Sequence, residues 1–142
     1  MKKFTLLFLA IGLIAMAATT KNAVTSGTVN KVSNINFTDS KYKACIDACN
    51  ACIVSCKKCE SMCVKSNDPK MARCIQLCKE CVATCTASSQ LMGLNSESAK
   101  EMCAVCANVC DKCAAECEKM TAAHCKKCAT ECRKTAKICR VM

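Results

Sequence analysis

The chain is 142 residues long and contains 19 cysteines, one histidine, one tyrosine and no tryptophan, with a formal net charge of +10. Its Lys and Arg residues are scattered between the cysteines and interleaved with Glu and Asp. Such a charge permits nucleic-acid or anionic-membrane contact, but with no concentrated basic run carrying aromatic stacking residues it is better read as solvated helix faces.

At the N-terminus, Lys2 and Lys3 precede an apolar stretch from Phe4 to Ala18 that only Thr5 and Gly12 interrupt. Ala15-Met16-Ala17 supplies a small-x-small cleavage site, so residues 1–17 are expected to form a secretory signal. The stretch falls short of the roughly 20 apolar residues of a stable membrane anchor. Residues 18–38, rich in Thr, Asn, Ser and Lys and lacking a helical period, are expected to be a flexible leader. The folded domain is placed at 39–142.

Four helices follow in the sequence, each marked by cysteines three and four apart and therefore on one face. The first is expected to start at Thr38 or Asp39 as cap and to pass Tyr42. It presents Cys45, Cys49, Cys52, Cys56, Cys59 and Cys63 and ends near Ser66. Asp68-Pro69 marks the next boundary, with Pro69 at the first helical position and Asp68 accepting free amide hydrogens. The second helix carries Met71, Cys74, Cys78, Cys81 and Cys85 in phase, continuing to Ser88 and Met92. Gly93 is the expected stop, and Asn95 or Ser96 the cap of the third helix. That helix displays Cys103, Cys106, Cys110, Cys113 and Cys117, then Met120.

The third boundary has no Gly or Pro but shows as a slip in phase. The stripe from Cys117 should reach 120, 121 and 124, whereas the cysteines resume at 125. The helix must break there, with Thr121 as the expected cap. The last helix presents Cys125, Cys128 and Cys132, then Thr135 where a thiol is due, then Cys139 and Met142. Short connections favour antiparallel neighbours. The expected fold is all-α, an up-down-up-down antiparallel four-helix bundle with a cysteine-lined core. Ile46, Ile53, Ile75, Val82, Val109 and Ile138 lie beside the stripes and are expected to pack the seams.

Exported chains of this size ordinarily cross-link their cysteines. Here the number is odd, and the thiols share helix faces instead of occupying loops. Packing alone does not account for them, because each Leu replaced by Cys forgoes burial worth on the order of 1 kcal/mol. Enzymatic redox chemistry would need one exposed, low-pKa cysteine at a helix start, and no pair is so privileged. Thiolates select soft metals: Cu(I), zinc or iron–sulfur clusters. Zinc wants four ligands in a tetrahedron, and iron–sulfur ligands sit mainly on loops. Cu(I) is satisfied by two or three sulfurs, which one helix face or two facing helices supply without distortion. One Cu(I) per cysteine, each releasing one proton, also leaves the core close to neutral. Multiple Cu(I) ions are therefore the expected cargo.

His124 follows Met120 in the phase of the third stripe, close to the connection between helices three and four. Met71 lies at the same end in this topology, and Met62 is next to the first stripe. Thioether and imidazole are neutral, weaker ligands, so Met62, Met71, Met120 and His124 are expected to form a mouth for copper entry. Met92, Met142 and Tyr42 would close the opposite end.

The stretches CIDACNACIVSCKKCESMC at 45–63, CIQLCKECVATC at 74–85, CAVCANVCDKCAAEC at 103–117 and HCKKCATEC at 124–132 resemble the bacterial copper storage proteins. The resemblance spans residues 39–142. It implies a four-helix bundle storing many Cu(I) ions along its axis, with His and Met at an open end and His124 as the match for the mouth histidine. The signal is similar to that of the exported members, but its lack of a twin-arginine pair points to general secretion before copper loading. The family's tendency to form tetramers implies a homo-oligomer. Non-enzymatic storage and buffering of Cu(I) is the leading reading. The alternatives are copper detoxification or delivery, with a copper-donating or copper-accepting protein as partner, and a zinc or mixed soft-metal sink.

Overall fold

The structure, a computed structural model, describes residues 42–142. The signal, the leader and the helix start at Thr38 or Asp39 lie outside the described residues. Four helices follow one another: α1 (Lys43–Ser66), α2 (Ala72–Gly93) after a 3-10 turn at Pro69–Met71, α3 (Ala99–Glu118) and α4 (Ala123–Cys139). Cysteine is a mediocre helix former, costing up to about 0.7 kcal/mol against Ala. The positions between the stripes offset this with Ala, Lys and Glu, as in the CKKCE run of α1. Each helix packs against its two sequence or ring neighbours, α1 on α2 and α4, α3 on α2 and α4. This is the expected up-down-up-down bundle. No helix among the described residues is long and apolar enough to cross a membrane.

The helix ends depart from the expected caps in instructive ways. Asp68 does cap, its Oδ1 accepting from Lys70 N at 2.9 Å, but Pro69 opens a 3-10 turn before α2 proper begins. Ser66 closes α1, its hydroxyl donating to Cys63 O at 2.7 Å and accepting from Asp68 N at 3.4 Å. Gly93 is the last residue of α2, as expected, but it is not the left-handed one: Asn95 takes that conformation at φ 50°. Bonds from Ser96 N to Leu91 O (2.9 Å) and from Asn95 N to Met92 O (3.1 Å) make this a Schellman motif. Asn95 therefore ends α2 and does not cap α3. Ser98 occupies the N-cap of α3 without a side-chain bond, and the Ser96 hydroxyl accepts from Ser98 N at 3.2 Å to shape the turn leading to it.

The α3–α4 break falls where the phase slip places it, but Thr121 is not the cap. Ala122 holds that position with an extended backbone (φ −62°, ψ 134°), and its carbonyl accepts from Cys125 N and Lys126 N. Met120 lies past the end of α3, and His124 is in the first turn of α4, not on a continuation of α3. On the outer face Arg133 of α4 reaches Glu118 and Asp111 of α3 at 2.8 Å, and Arg140 also pairs with Asp111.

All 19 cysteines are buried, none more than 2% exposed. Small side chains bring the helices together around them: Ala48, Ala107, Ala114, Ala129 and Ala136 are buried at the seams with Leu77 and Ile46. Ile53, Ile75, Val82, Val109 and Ile138 cover the flanks, partly buried. A core of thiols is narrow, and alanine is what lets the backbones close on it.

Candidate metal centre

The four stripes converge into one column of sulfur. Between α2 and α3 the thiols form rungs in constant antiparallel register: Cys74–Cys117 at 3.4 Å, Cys78–Cys113 at 4.0 Å, Cys81–Cys110 at 3.4 Å and Cys85–Cys106 at 3.4 Å. Between α1 and α4 the contacts run from Cys63–Cys125 (3.9 Å) through Cys56–Cys128 and Cys52–Cys132 (both 3.6 Å) to Cys45–Cys139 (3.3 Å). Cross-links join the two ladders, Cys59 to Cys74 at 3.9 Å and Cys52 to Cys81 at 3.6 Å. Cys49 meets Cys139 at 4.0 Å. The thiols are free, their separations far beyond the roughly 2.05 Å of a disulfide.

A metal–thiolate bond near 2.3 Å holds two sulfurs of a trigonal site about 4 Å apart. The column has that spacing along most of its length. Several sets have every donor atom within 4.8 Å of the others, among them Cys52-Cys56-Cys81-Cys132, Cys56-Cys113-Cys128-Cys132 and Cys59-Cys74-Cys78-Cys117. The sets overlap: Cys52, Cys56, Cys59, Cys81 and Cys132 each belong to more than one. Ions occupying overlapping sets at the same time would share sulfurs through bridging thiolates.

At the ends of the metal-free column burial and hydrogen bonding act in opposite directions: the hydrogen bond with Cys139 brings Cys45 down to about 4. Burial pushes the Cys63 and Cys103 thiols from 9.0 to about 12 each, and Cys125 is raised for the same first reason. In mid-column the hydrogen bonds decide. Cys132 is pushed up, first by its interaction with Cys110, while Cys52 is held down, first by Cys110 and then by Cys132. Protons are thus shared between neighbouring sulfurs.

At the end formed by the α1 C-terminus and the α4 N-terminus, His124 Nε2 lies 3.5 Å from Cys63 Sγ. Cys59, Cys63, His124 and Cys125 form one potential ligand set. Met62, 42% exposed, lines with His124 a groove of about 630 Å³ between α1 and α4, together with Ala51, Val54, Lys58 and Lys127. Met71 and Met120 do not line that groove but rest, partly buried, against the sulfur core. Thr135, the gap in the α4 stripe, is fully buried and donates to Ala48 O at 3.1 Å. At the opposite end Met92 is more than the plug expected there: its Sδ accepts from Cys103 Sγ at 3.6 Å, and both residues are fully buried. Its place in the phase of the α2 stripe was the one sequence signal for that contact.

A thiol-lined helical bundle with a column of sulfur along its axis defines a soft-metal sequestering protein. The chain belongs to the copper storage protein family, whose model matches residues 38–142. It is similar to the Cu(I)-bound copper storage protein Csp3 of Bacillus subtilis, at 36% identity and a TM-score of 0.69 over 71% of this chain and 96% of that one. Apo-Csp3 from Bacillus subtilis is matched at 36% identity and a TM-score of 0.68, covering 70% of this chain and 96% of that one. The Nmul_A1745 protein from Nitrosospira multiformis follows at 32% identity and 0.65, over 70% and 91%. No curated protein sequence matches the chain.

Proposed function

We propose that this protein stores and buffers multiple Cu(I) ions on the thiolates of its 19 cysteines, without catalysing a reaction. The observation that carries this is the column of sulfur along the bundle axis, with contacts of 3.3–4.0 Å within it and ligand sets that overlap. Each Cu(I) displaces a thiol proton, and a thiolate bridging two ions keeps the loaded core near neutrality. Membership of a family with a Cu(I)-bound structure supports the choice of ion. A zinc sink is the second reading, favoured by four-sulfur sets such as Cys56-Cys113-Cys128-Cys132. Charge counts against it, since a divalent ion with four thiolates of its own leaves a net negative charge in a dry core.

Met62, Met71, Met120 and His124 are proposed as the mouth, holding copper before it passes to Cys63 and Cys125. Residues 1–17 are proposed as an export signal, 18–38 as a leader, and the protein as periplasmic or extracellular; mass spectrometry of the exported protein should find Ala18 at its N-terminus, and retention of Met1 would overturn this. A copper-exchanging protein partner and a homotetramer complete the reading, the latter tested by light scattering of the purified protein.

The deciding experiment is an anaerobic titration of the reduced protein with Cu(I) and, separately, Zn(II) against a competing chelator. Retention of well over ten Cu(I), with zinc readily displaced, is expected from the number of thiols and the softness of thiolate for Cu(I). Four or fewer ions, or a preference for zinc at four sulfurs each, would sink the storage reading.

A further inference from the structure

The α2–α3 ladder runs in fixed register through Cys74–Cys117, Cys78–Cys113, Cys81–Cys110 and Cys85–Cys106. The next pair in that register is Ser88 opposite Cys103. Ser88 is fully buried, but its hydroxyl is committed to backbone, donating to Met102 O at 3.3 Å. Cys103 is left without a thiol across from it on α2. The place is taken by a side chain one turn further along α2. Met92, fully buried, returns its thioether to the column 3.6 Å from Cys103 Sγ, within the spacing of the thiol rungs.

We propose that Met92 is a copper ligand: with Cys103 it forms a terminal Cu(I) site at the end of the column opposite His124. This rests on the storage reading above and extends it to a donor that is not a thiol. Two sulfurs are enough for Cu(I), and thiolate with thioether is a soft donor pair. The chemistry suits a terminus. A thiolate can bridge and carries the column's charge from one ion to the next, whereas a thioether is neutral, has no proton to lose and ends the chain. The site releases a proton only from its thiol. It also differs in access from the opposite end, where Met62 is 42% exposed. A buried thioether holds an ion out of contact with solvent, so this is a retention site and not an entry point.

The test follows the methionine methyl groups of the full-length, reduced protein by carbon–proton NMR during anaerobic Cu(I) loading. The Met92 methyl is assigned through its Overhauser contacts to the Cys103 β-protons. The site requires that resonance to shift as the column fills, and Met92→Leu, close in volume, to retain about one Cu(I) fewer than the parent. An unmoved Met92 methyl in a protein that takes up many Cu(I) would overturn the site and leave the storage reading standing. Failure of the parent itself to retain more than a few ions would instead remove the storage reading. The methyl shift is read on the parent, so it stands whether or not the Leu variant folds.

Discussion

His124 is the one imidazole in the chain, and its Nε2 sits 3.5 Å from Cys63 at the rim of the sulfur column. As a neutral donor beside thiols raised by burial, it suits an ion in transit. Replacing it by Ala should leave the number of Cu(I) ions within about one of the parent but slow transfer to and from a chelator. About 1.4 kcal/mol of lost coordination at the encounter site corresponds to about tenfold in rate. Stopped-flow exchange measures this, and a loss of several ions with unchanged rates would place His124 inside the store instead. Thr135 teaches a different lesson at the same scale. Its stripe position calls for a thiol, yet its hydroxyl is spent on Ala48 O, tying α4 to α1. One position of the column is given to a hydrogen bond between helices.

At the scale of elements, the stripes fix which face each helix buries, while the ends are set by backbone geometry. Asn95 shows the difference. Gly93 is the residue expected to stop α2, but the Schellman bonds from Asn95 and Ser96 place the left-handed residue two positions later. Asn95→Ala should destabilise the apo-protein by about 1 kcal/mol, the cost of a Cβ in that conformation, and Asn95→Gly should be neutral or mildly stabilising. Chemical denaturation of both variants checks this; equal stability of the two would show that the conformation carries no strain. The slip between Cys117 and Cys125 was legible because a stripe cannot rotate by one residue within a single helix. The identity of the cap was not: Thr121 has the better capping side chain, but Ala122 has the extended backbone.

For the whole molecule, the buried thiols link proton binding to stability. Cys63 and Cys103 are raised from 9.0 to about 12 by burial. The unfolded chain therefore gives up these protons first as pH rises, and between pH 9 and 12 it binds fewer of them than the folded protein. The derivative of unfolding free energy with pH is then negative. Stability from these groups is complete below pH 9 and is lost on approach to 12. The denaturation midpoint of the apo-protein should fall over that window, and the copper-loaded protein, whose thiols have already lost their protons, should show a weaker fall. An apo-protein that gains stability above pH 9 would contradict the assignment. Copper binds the folded column far better than a disordered chain, so loading should also raise the thermal midpoint.

The sequence by itself determined that four helices form, which face of each is buried, and that the buried faces carry sulfur. Those properties are local: a period of three and four residues sets a helix face whatever lies across from it. The tertiary structure decided what depends on register between helices. It set Ser88 opposite Cys103, brought the Met92 thioether into the fifth rung, and laid His124 against Cys63. It also brought Met62 to one groove with His124 while leaving Met71 and Met120 against the core. Nothing within one helix encodes its axial offset from the next. That offset is fixed only when alanines close the seams and the thiols of facing stripes come to rest within 4 Å of one another.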